Sequence, residues 1–446
     1  MATVVGFTSV GTGIRYNLGA TDDLFVPAGS SVVSTDSRAV AGGGSNNSVT
    51  VFGAIHGAFL GIDIGDGIAG ANSARVYVGP NGSVSSDPLS DSGAIRLFGS
   101  GALVINDGAI SGHFGLILGS GGSGTAANTV VNRGLISGGN IAITQFNPAQ
   151  QAVVVKNFGD LMGNNYAVRT FGTTEDLVMN RGTIVGTIEL AGGNDRLDNR
   201  DGRIEGDVLM GDGDDVVVNR GGIINGTVYG GAGNDRYVAS ATQEDVFDGG
   251  AGIDIMDYRW GGAVVVALDG SFENAGAALN DEITGVEHVY GSRTGGDTIR
   301  GNQAANLLRG EGGADRLEGA GGADVLIGGR GKDTLSGGGG NDTFVYQNLN
   351  QIGDVITDFR GDVGNDDRFQ INASAFGGGL VAGSLAPSQF QTRADNVAQD
   401  ANDRFIFRTT DRSLWFDADG NGAGAPVMVA DLQANAIVTV ADIFLV

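Results

Sequence analysis

The chain has 446 residues with 81 glycines, 6 prolines and no cysteine, a size that suits several ordinary domains or one long repeat structure. The glycines follow no Gly-X-Y period and 41% of the residues are hydrophobic, so the composition excludes collagen and argues against wholesale disorder. The formal net charge of −25 disfavours nucleic acid and anionic membranes as partners and favours cations.

Residues 1–48 are predicted to cap the first coil of a repeat structure. They contain no positively charged segment followed by an uninterrupted apolar stretch, so we expect no cleavable N-terminal signal peptide. No run of 18 consecutive apolar residues occurs along the chain, so we expect no membrane span. Residues 1–150 hold only 8 of the 51 acidic side chains, which places most of the negative charge downstream.

Residues 49–189 are predicted to form a parallel β-helix because a turn motif recurs along them and continues beyond them. The motif is an asparagine and a nearby glycine followed by an apolar pair around Ile or Leu. It begins at Asn106, Asn132, Asn157, Asn180, Asn199 and Asn219. Asparagine and glycine favour turns with a left-handed residue, and the apolar pair favours a strand that faces a core. We assign these asparagines a structural role.

Residues 190–260 are predicted to continue the coils and to add one glycine-aspartate turn to each of them. The turns place Asp195, Asp215, Asp235 and Asp254 at equivalent positions. Their intervals of 20, 20 and 19 residues match one coil and stay in phase with the asparagine turns. One edge of the solenoid would therefore present aspartates and another edge asparagines.

After residues 261–291, which we expect to form a β insertion, the sequence at 292–345 divides into six consecutive nonapeptides. Their sixth position is Asp297, Asn306, Asp315, Asp324, Asp333 and Asp342, and their eighth position is Ile299, Leu308, Leu317, Leu326, Leu335 and Phe344. A glycine-rich half followed by a short apolar half predicts a tight turn and a short strand with one inward side chain. Two such units would make one coil.

This nonapeptide matches GGxGxDxUx, with U apolar, the repeat described for calcium-binding parallel β-helices. On these residues the chain resembles the RTX (repeats-in-toxin) calcium-binding family. The resemblance implies an all-β fold, an elongated parallel β-solenoid in which a β-helix is followed by a calcium β-roll and a β-rich C-terminal cap. Residues 261–291 are similar to an RTX spacer, with Asp257 and Tyr258 at its start and Val286–Val289 at its end.

The resemblance also implies Ca²⁺ as the cofactor, held between the equivalent turns of successive coils. The implied metal ligands are Asp195, Asp215, Asp235, Asp254, Asp297, Asp315, Asp324, Asp333 and Asp342. Ca²⁺ takes six to eight oxygens from carboxylates and backbone carbonyls, and glycine turns expose such carbonyls. The alternative is that these aspartates only cap the turns through hydrogen bonds.

In the nonapeptides the stacked partner lies two repeats away. The predicted pairs are Asp297 with Asp315, Asn306 with Asp324, Asp315 with Asp333, and Asp324 with Asp342. The gap at Asn306 is expected to be weak or empty because the carboxylate is missing there. Residues 190–260 would define up to three further gaps, although Leu190 and Met210 replace the first glycine of two turns.

Residues 346–446 resemble the C-terminal cap of serralysin-type RTX proteins. The last residues, Asp442–Val446, resemble the uncleaved signal that type I secretion machinery recognises, which implies that machinery as a partner and an extracellular or cell-surface location. The segment FDADGNG at 416–422 is similar to the start of a helical calcium loop. Met428 stands where such a loop needs its bidentate glutamate, so a hairpin turn is the preferred interpretation.

No catalytic motif is recognisable in the chain. There is no H-E-x-x-H or G-x-S-x-G, cysteine is absent, and the three histidines, His56, His113 and His288, are far apart in sequence. We therefore predict a secreted calcium-binding protein with a structural or adhesive role, which folds on Ca²⁺ after export. Surface polysaccharide and self-association are candidate interactions. The alternative is a carbohydrate-active β-helix enzyme, a polysaccharide lyase or epimerase, with an RTX tail.

Overall fold

The computed structural model describes residues 3–43, 46–65, 73–88, 91–119, 124–146, 151–362 and 365–446. Strands make up 50% of the chain and helices 2%, arranged as a parallel β-solenoid of about 15 turns. The predicted all-β solenoid is therefore confirmed. The chain divides into two compact units, Met1–Tyr237 with Val246–Gly252 and Val238–Asp245 with Ile253–Val446.

In the first unit, a typical coil contributes one strand to a first sheet and one or two strands to a second sheet. The strands are β1 (Thr3–Val5), β2 (Ser9–Gly11), β3 (Tyr16–Leu18), β4 (Asp23–Val26), β5 (Ser31–Ser34), β6 (Arg38–Gly42), β7 (Ser48–Val51), β8 (Ala54–Gly57), β9 (Leu60–Ile64), β10 (Arg75–Val78), β11 (Ser83–Ser86), β12 (Gly93–Phe98), β13 (Leu103–Asn106), β14 (Ala109–Gly119), β15 (Asn128–Asn132), β16 (Leu135–Phe146), β17 (Val153–Asn157), β18 (Asp160–Arg169), β19 (Leu177–Asn180), β20 (Thr183–Glu189), β21 (Arg196–Asp198), β22 (Arg203–Glu205), β23 (Val208–Asp212), β24 (Val216–Val218), β25 (Ile223–Asn225), β26 (Val228–Ala232), β27 (Arg236–Val238) and β28 (Val246–Ala251).

The core of this unit is a stack of inward aliphatic side chains, one above another. Leu24 pairs with Val49, and Val49 pairs with Val76, in parallel register. All three side chains are buried, and the residues between them along each strand face outward. Period-two alternation therefore fixes which face is inward. Each fully buried aliphatic side chain contributes about 1.5–3 kcal/mol.

The turn asparagines of the sequence pattern form one buried ladder. In each case Nδ2 of one asparagine donates to Oδ1 of the asparagine in the next coil at 2.8 Å, along the series Asn106, Asn132, Asn157, Asn180, Asn199 and Asn219. An amide suits this position because it has both a donor and an acceptor. The adjacent glycine is needed because a Cβ on Gly134 would lie 2.1 Å from the carbonyl oxygen of Gly108.

The first coil begins inside the segment that sequence analysis assigned to a cap. β1–β3 form one coil and β4–β6 form the next. Val5 pairs with Phe25, and Val10 pairs with Val33, both in parallel register. Residues 3–42 are thus arranged as repeat coils.

In the second unit, two parallel ladders alternate along the chain and are followed by a C-terminal segment with antiparallel strands. The strands are β29 (Ile255–Asp257), β30 (Val264–Ala267), β31 (Ala275–Gly276), β32 (Glu282–Thr284), β33 (His288–Tyr290), β34 (Thr298–Arg300), β35 (Leu307–Arg309), β36 (Arg316–Glu318), β37 (Val325–Ile327), β38 (Thr334–Ser336), β39 (Thr343–Tyr346), β40 (Asp354–Ile356), β41 (Gly361–Asp362), β42 (Asn365–Asp366), β43 (Arg368–Ile371), β44 (Gly383–Ser384), β45 (Phe390–Arg393), β46 (Phe405–Arg408), β47 (Ser413–Phe416), β48 (Val427–Leu432) and β49 (Ile443–Leu445). The helices are α1 (Ala373–Phe376) and two 3₁₀ turns, Pro387–Gln389 and Val440–Asp442.

Each nonapeptide supplies one strand of this unit, and alternate repeats stack. Leu317 pairs with Ile299 on one side and Leu335 on the other. The eighth-position side chains are all buried: Ile299, Leu308, Leu317, Leu326, Leu335 and Phe344. Two nonapeptides therefore make one coil, with one inward side chain on each side of the core.

The C-terminal strand forms the last rung of the second unit. β49 pairs in parallel with β43, and its other edge pairs with β44 in antiparallel register. Ile443 and Leu445 are buried, whereas Phe444 is exposed. Among the helices of the described residues, none is long and apolar enough to cross a membrane.

Candidate metal sites

The sixth-position aspartates line up in two rows along the second unit. In one row, the backbone N–H of Asp315 donates to Oδ1 of Asp333 at 2.9 Å. In the other row, the backbone N–H of Asp324 donates to Oδ1 of Asp342 at 2.9 Å. Each bond joins the same turn of successive coils. One oxygen of each downstream carboxylate is therefore used to hold the preceding coil.

The second oxygen of these carboxylates, Oδ2, does not hold a neighbouring coil. Oδ2 of Asp315, Asp324, Asp333 and Asp342 is buried and accepts no hydrogen bond from any described residue. The four side chains are at most 2% exposed. A buried carboxylate oxygen without a donor or a counter-charge is unfavourable by several kcal/mol. Each row therefore presents unsatisfied negative charge in its interior.

Backbone oxygens lie beside these carboxylates. A Cβ built on Gly310 would lie 2.2 Å from Oδ2 of Asp315 and 2.5 Å from the carbonyl oxygen of Gly328. A Cβ built on Gly319 would lie 2.1 Å from Oδ2 of Asp324 and 2.4 Å from the carbonyl oxygen of Gly337. The first glycine of the repeat thus leaves a space lined by carboxylate and carbonyl oxygens. These are the ligands that Ca²⁺ prefers.

Burial perturbs the titration of the same carboxyl groups. Burial, helped by the neighbouring aspartates of its row, raises the pKa of Asp315 to about 8. Burial raises the pKa of Asp324 to about 7, again with a smaller contribution from the next aspartate. The pKa values of Asp333 and Asp342 are also raised by burial. Without a cation, these turns disfavour the charged form of their own side chains.

The second position of the turn has a left-handed backbone in the last four nonapeptides. Gly329 and Gly338 have φ values of 101° and 98°. Glu311 and Ala320 stand at the same position in their repeats with φ values of 68° and 77°, which is strained for residues with a Cβ. The turn conformation is therefore kept even where the sequence departs from glycine.

A third row of stacked aspartates lies in the first unit. It begins upstream of Asp195, the first aspartate that the sequence predicted as a ligand. The backbone N–H of Asp195 donates to Oδ1 of Asp215 at 2.6 Å, and that of Asp215 donates to Oδ1 of Asp235 at 2.8 Å. Oδ2 of Asp195 and of Asp215 is buried without a hydrogen-bond partner. Burial raises the pKa of Asp195 to about 9 and that of Asp215 to about 7. Leu190 and Met210, which replace turn glycines, are buried in the core.

Asp297 differs from the aspartates that follow it. Its Oδ2 accepts the backbone N–H of Ser292 at 2.6 Å, and its Oδ1 accepts the hydroxyl of Ser292 at 3.0 Å and the N–H of Val264 at 2.9 Å. Both carboxylate oxygens are therefore satisfied by the protein. Asn306 lies in the second row, where its Oδ1 accepts the N–H of Asn302 and its Nδ2 donates to the carbonyl oxygen of Glu287.

The remaining predicted pair is divided between the two units. Asp235 belongs to the first unit and Asp254 to the second. Both side chains are buried. Within the second unit, the backbone N–H of Asp254 donates to Oε2 of Glu287 at 2.9 Å.

The rows also contain aspartates that sequence analysis did not identify. The N–H of Asp333 donates to Oδ1 of Asp354, and the N–H of Asp342 donates to Oδ1 of Asp367, both at 3.0 Å. Asp176 begins the row of the first unit, with its N–H donating to Oδ1 of Asp195 at 2.6 Å. Each of the three stands two residues before a buried apolar side chain, as in the nonapeptide. That short pattern was available in the sequence, but the first and fourth positions of the repeat are not glycine in these three turns.

In other carboxylates at equivalent positions, Oδ2 accepts a hydrogen bond from a protein donor and is therefore not free. Oδ2 of Asp367 accepts the N–H of Arg360 at 2.8 Å, and Oδ2 of Asp281 accepts the hydroxyl of Tyr258 at 2.7 Å. Together with Asp297, they show that the fold satisfies some carboxylates by itself. The members with an unsatisfied Oδ2 are therefore the ones that keep a carboxylate oxygen available for a cation.

The aspartate-rich segment at 416–422 is a connection between antiparallel strands. β47 ends at Phe416 and β48 begins at Val427. Oδ2 of Asp419 accepts the N–H of Gly424, and Oδ1 of Asp417 accepts the N–H of Asp419. Across the part of the chain that the structure describes, no group of three or more His, Cys, Asp or Glu side chains is placed to hold a metal. Any ion in the rows therefore takes part of its ligands from backbone carbonyls.

A Ser–His–Asp contact occurs on the first unit, but its surroundings do not suit acyl transfer. Oγ of Ser85 lies 2.9 Å from Nδ1 of His56, and Nε2 of His56 lies 3.2 Å from Oδ1 of Asp87. Ser85 lies in β11 between β8 and β14, so its backbone is engaged in the sheet. An acyl-transfer site needs free N–H donors for the oxyanion. We assign this contact to the sheet surface.

Comparison with known families agrees with the geometry of the rows. Residues 293–326 and 318–346 match the model of the RTX calcium-binding nonapeptide repeat. The match covers the turns that contain Asp297, Asp315, Asp324, Asp333 and Asp342. No curated protein matches the chain.

Proposed function

We propose that the chain, whose residues 293–346 match the RTX calcium-binding repeat, is a calcium-binding RTX-repeat protein that is secreted and has a structural or adhesive role at the cell surface or in the extracellular matrix. In this proposal Ca²⁺ fills the aspartate turns and completes the fold of the solenoid after export. The observation that supports it best is the set of buried carboxylate oxygens that accept no hydrogen bond.

We propose that the ions lie between stacked aspartates that both have an unsatisfied Oδ2. Within the described residues, this condition is met at the gaps of Asp195 with Asp215, Asp315 with Asp333, and Asp324 with Asp342. Asp235, Asp254 and Asp297 are proposed as ligands of flanking gaps. The gap between Asp297 and Asp315 should bind more weakly, because Asp297 already accepts three hydrogen bonds from the protein.

The energetic effect of filling the three gaps is large enough to control folding. If free Ca²⁺ exceeds the dissociation constant tenfold, each site stabilises the folded state by about 1.4 kcal/mol, so three independent sites give about 4 kcal/mol. A typical domain is stable by only about 5–15 kcal/mol. The folded population should therefore follow the calcium concentration.

Export is proposed to use the C-terminal residues before the protein folds. Residues 442–446 are similar to a type I secretion signal, and within the folded unit Ile443 and Leu445 are buried. Secretion machinery would therefore have to bind this segment in the unfolded chain, which low cytosolic calcium favours. Deletion of the last six residues should abolish export, and unchanged export would contradict this part of the proposal.

A calcium titration tests the folding proposal directly. Far-ultraviolet circular dichroism of the chelator-treated protein should show little β-structure, and added Ca²⁺ should restore it in a saturable transition. Isothermal titration calorimetry should give heat over the same range. A fully ordered chelator-treated protein without heat of calcium uptake would contradict the proposed role.

We also propose that the chain acts without catalysis. The Ser–His–Asp contact lacks oxyanion donors, and the described residues contain no cluster of three metal-binding side chains. The calcium-loaded protein should therefore produce no reducing ends or unsaturated products from acidic polysaccharides. Detection of either product would instead favour a carbohydrate-active enzyme.

A further inference from the structure

One turn edge of the second unit is basic, although the chain as a whole is acidic. This basic edge is formed by four successive turns, at residues 259–263, 292–296, 310–314 and 328–332. The turns carry four cationic side chains and one anionic side chain: Arg259, Arg293, Arg330 and Lys332, with Glu311. The corresponding turns of the other aspartate row, at 301–305, 319–323 and 337–341, contain no charged residue. The charge therefore belongs to one edge and is not a general property of the repeat.

The turns of the basic edge lie directly on one another. A Cβ on Gly295 would lie 2.6 Å from Cα of Ala263, and a Cβ on Gly312 would lie 2.7 Å from the carbonyl oxygen of Arg293. The backbone N–H of Arg330 donates to the carbonyl oxygen of Glu311 at 3.0 Å. Neighbouring coils of a sheet are about 4.8 Å apart, so the turns of Arg293 and Arg330 are separated by about 10 Å. The cations therefore recur at a regular interval along the edge.

Aromatic rings fix the orientation of the guanidinium groups. Cζ of Arg293 lies 3.8 Å from the ring centroid of Trp260, which is 43% exposed. Arg259 and Arg309 both lie over the ring of Tyr290, with Cζ at 5.0 and 5.2 Å from its centroid. A stacked guanidinium keeps its N–H groups directed outward in its own plane, where a carboxylate accepts two of them. Arg293 is therefore held in the orientation that suits a carboxylate ligand.

The acidic side chain of the edge is already paired. Oε1 of Glu311 lies 3.4 Å from Nε of Arg309 and 3.8 Å from Nη1 of Arg259. Three exposed cations form no ion pair with any described residue: Arg293, Arg330 and Lys332. Charges farther away than about 8 Å are largely screened at physiological ionic strength, so a ligand on this edge interacts mainly with these cations. We propose that the basic edge binds the carboxylate groups of an acidic polysaccharide, an inference that rests on the proposed adhesive role.

The local chemistry favours a polysaccharide over other anionic chains. Single-stranded nucleic acid needs open aromatic faces on which its bases stack, whereas guanidinium groups already lie over the rings of Trp260 and Tyr290. An unfolded acidic peptide loses conformational entropy when it is ordered along a surface. An acidic polysaccharide is a stiffer chain with carboxylates at a regular interval, which matches cations that recur with the coils.

Calcium should control this binding because the same turns enclose a proposed ion site. The gap between Asp315 and Asp333 lies between the turns 310–314 and 328–332, which present Arg330 and Lys332. Ca²⁺ in the gap would order both turns and offset the buried negative charge beneath the cations. The edge is therefore expected to bind its ligand only in the calcium-loaded protein.

Isothermal titration calorimetry with hyaluronan oligosaccharides, in which every second sugar carries a carboxylate, tests the proposal. In saturating Ca²⁺ the wild-type chain should bind saturably, with an affinity that falls as salt is added. Arg293→Gln combined with Arg330→Gln should raise the dissociation constant at least about tenfold. Arg133→Gln combined with Arg203→Gln is the matched control. It removes the same charge from side chains of the first unit that are 53% and 46% exposed, and it should leave the constant unchanged. Absence of wild-type binding, or an equal loss in both double variants, would overturn the proposal.

Further measurements separate the partner from the fold. Chelator should abolish oligosaccharide binding, and calcium-induced circular dichroism of the double variant should match that of the wild type. Arg330→Gln alone, which removes an exposed side chain without an ion-pair partner, should raise the dissociation constant about threefold and gives a second test of the edge. Tighter binding of polyglutamate or of a single-stranded oligonucleotide would overturn the choice of partner. A chain that folds with Ca²⁺ but does not bind the oligosaccharide contradicts this inference alone, whereas absence of calcium uptake contradicts the proposed function.

Discussion

The backbone N–H of Asp315 donates to Oδ1 of Asp333 at 2.9 Å, while Oδ2 of each residue is buried without a hydrogen-bond partner. One oxygen of Asp333 therefore holds two coils together, and the other is left for a cation. Asp297 has the same position one coil earlier, but Ser292 satisfies its Oδ2. The aspartate turns therefore have two separable roles: Oδ1 links successive coils, and Oδ2 is proposed to bind an ion only where the protein does not satisfy it.

Replacing Asp315 by asparagine should remove one calcium ion from the second unit. The amide lacks the negative charge, and its NH₂ group would donate into a space that otherwise contains only acceptors. The affinity of the gap should fall at least about tenfold, which corresponds to about 1.4 kcal/mol. Isothermal titration calorimetry measures both stoichiometry and affinity. Asp395→Asn is the control, since this carboxylate is exposed and paired with Arg393, and it should keep the stoichiometry. An equal loss in both variants would contradict the assignment.

Acid should partly replace calcium in stabilising the fold. Burial raises the pKa of Asp315 to about 8, of Asp324 to about 7 and of Asp195 to about 9, whereas an unfolded aspartate titrates near 3.9. A carboxyl group with a raised folded-state pKa stabilises the ion-free fold fully below about pH 4, and this contribution is lost as the pH rises through about 7 to 9. Chelator-treated protein should therefore show more β-structure by circular dichroism at pH 5 than at pH 8. Identical spectra at the two pH values would contradict this expectation.

Gly338→Ala should destabilise the second unit. Gly338 has a φ of 98°, and a Cβ there would lie 2.4 Å from the carbonyl oxygen of Ala320. The left-handed backbone alone is unfavourable by about 1–2 kcal/mol for alanine, before the steric contact is added. Gly339→Ala is the control, since no atom lies within 4 Å of its Cβ position. Urea unfolding in saturating calcium should show a lower midpoint for Gly338→Ala than for Gly339→Ala.

Relief of strain at the equivalent position should have the opposite effect. Ala320 has a φ of 77°, so Ala320→Gly removes a Cβ from a left-handed backbone. The gain should be at most about 1 kcal/mol, because glycine also loses more entropy on folding. The same urea unfolding measurement should show a midpoint equal to or above that of the wild type. A clearly lower midpoint would mean that the strain is relieved elsewhere in the turn.

Asn157→Ala should destabilise the first unit independently of calcium. The substitution removes the acceptor of Asn132 Nδ2 and the donor to Asn180 Oδ1 in a fully buried ladder. Two buried polar groups would lose partners, with an expected cost of about 2–4 kcal/mol. Asn164→Ala is a suitable control because Asn164 is exposed on the neighbouring strand. Urea unfolding should show a large shift for Asn157→Ala only, and a similar shift for both would argue against the ladder.

The local pattern of the sequence was sufficient to predict the coils. Leu308 and Leu326 face inward in adjacent coils because each follows the sixth-position turn residue, Asn306 or Asp324, by two residues. The asparagine spacing likewise predicted the turns that form the buried ladder. Both features depend on residues close together in the chain, so periodicity shows them.

Other rungs of the solenoid have turns that do not follow the repeat motifs of the sequence. Asp354 and Asp367 continue the two rows of the second unit, but the first, second and fourth positions of their turns are not glycine. Residues 3–42 form coils, yet they contain neither the asparagine nor the aspartate turn motif that the periodic analysis used. A prediction from turn motifs alone therefore misses rungs whose turns are built from other residues.

The sequence by itself determined the solenoid, its coil length and the positions at which carboxylates stack. Only the tertiary structure decided which of these carboxylates lack a donor, because the donors come from outside the repeat. The hydroxyl of Tyr258 reaches Asp281, and the N–H of Arg360 reaches Asp367, whereas no donor among the described residues reaches Oδ2 of Asp315. These non-local hydrogen bonds decide which carboxylate oxygens stay available for an ion, and a repeat consensus does not contain them.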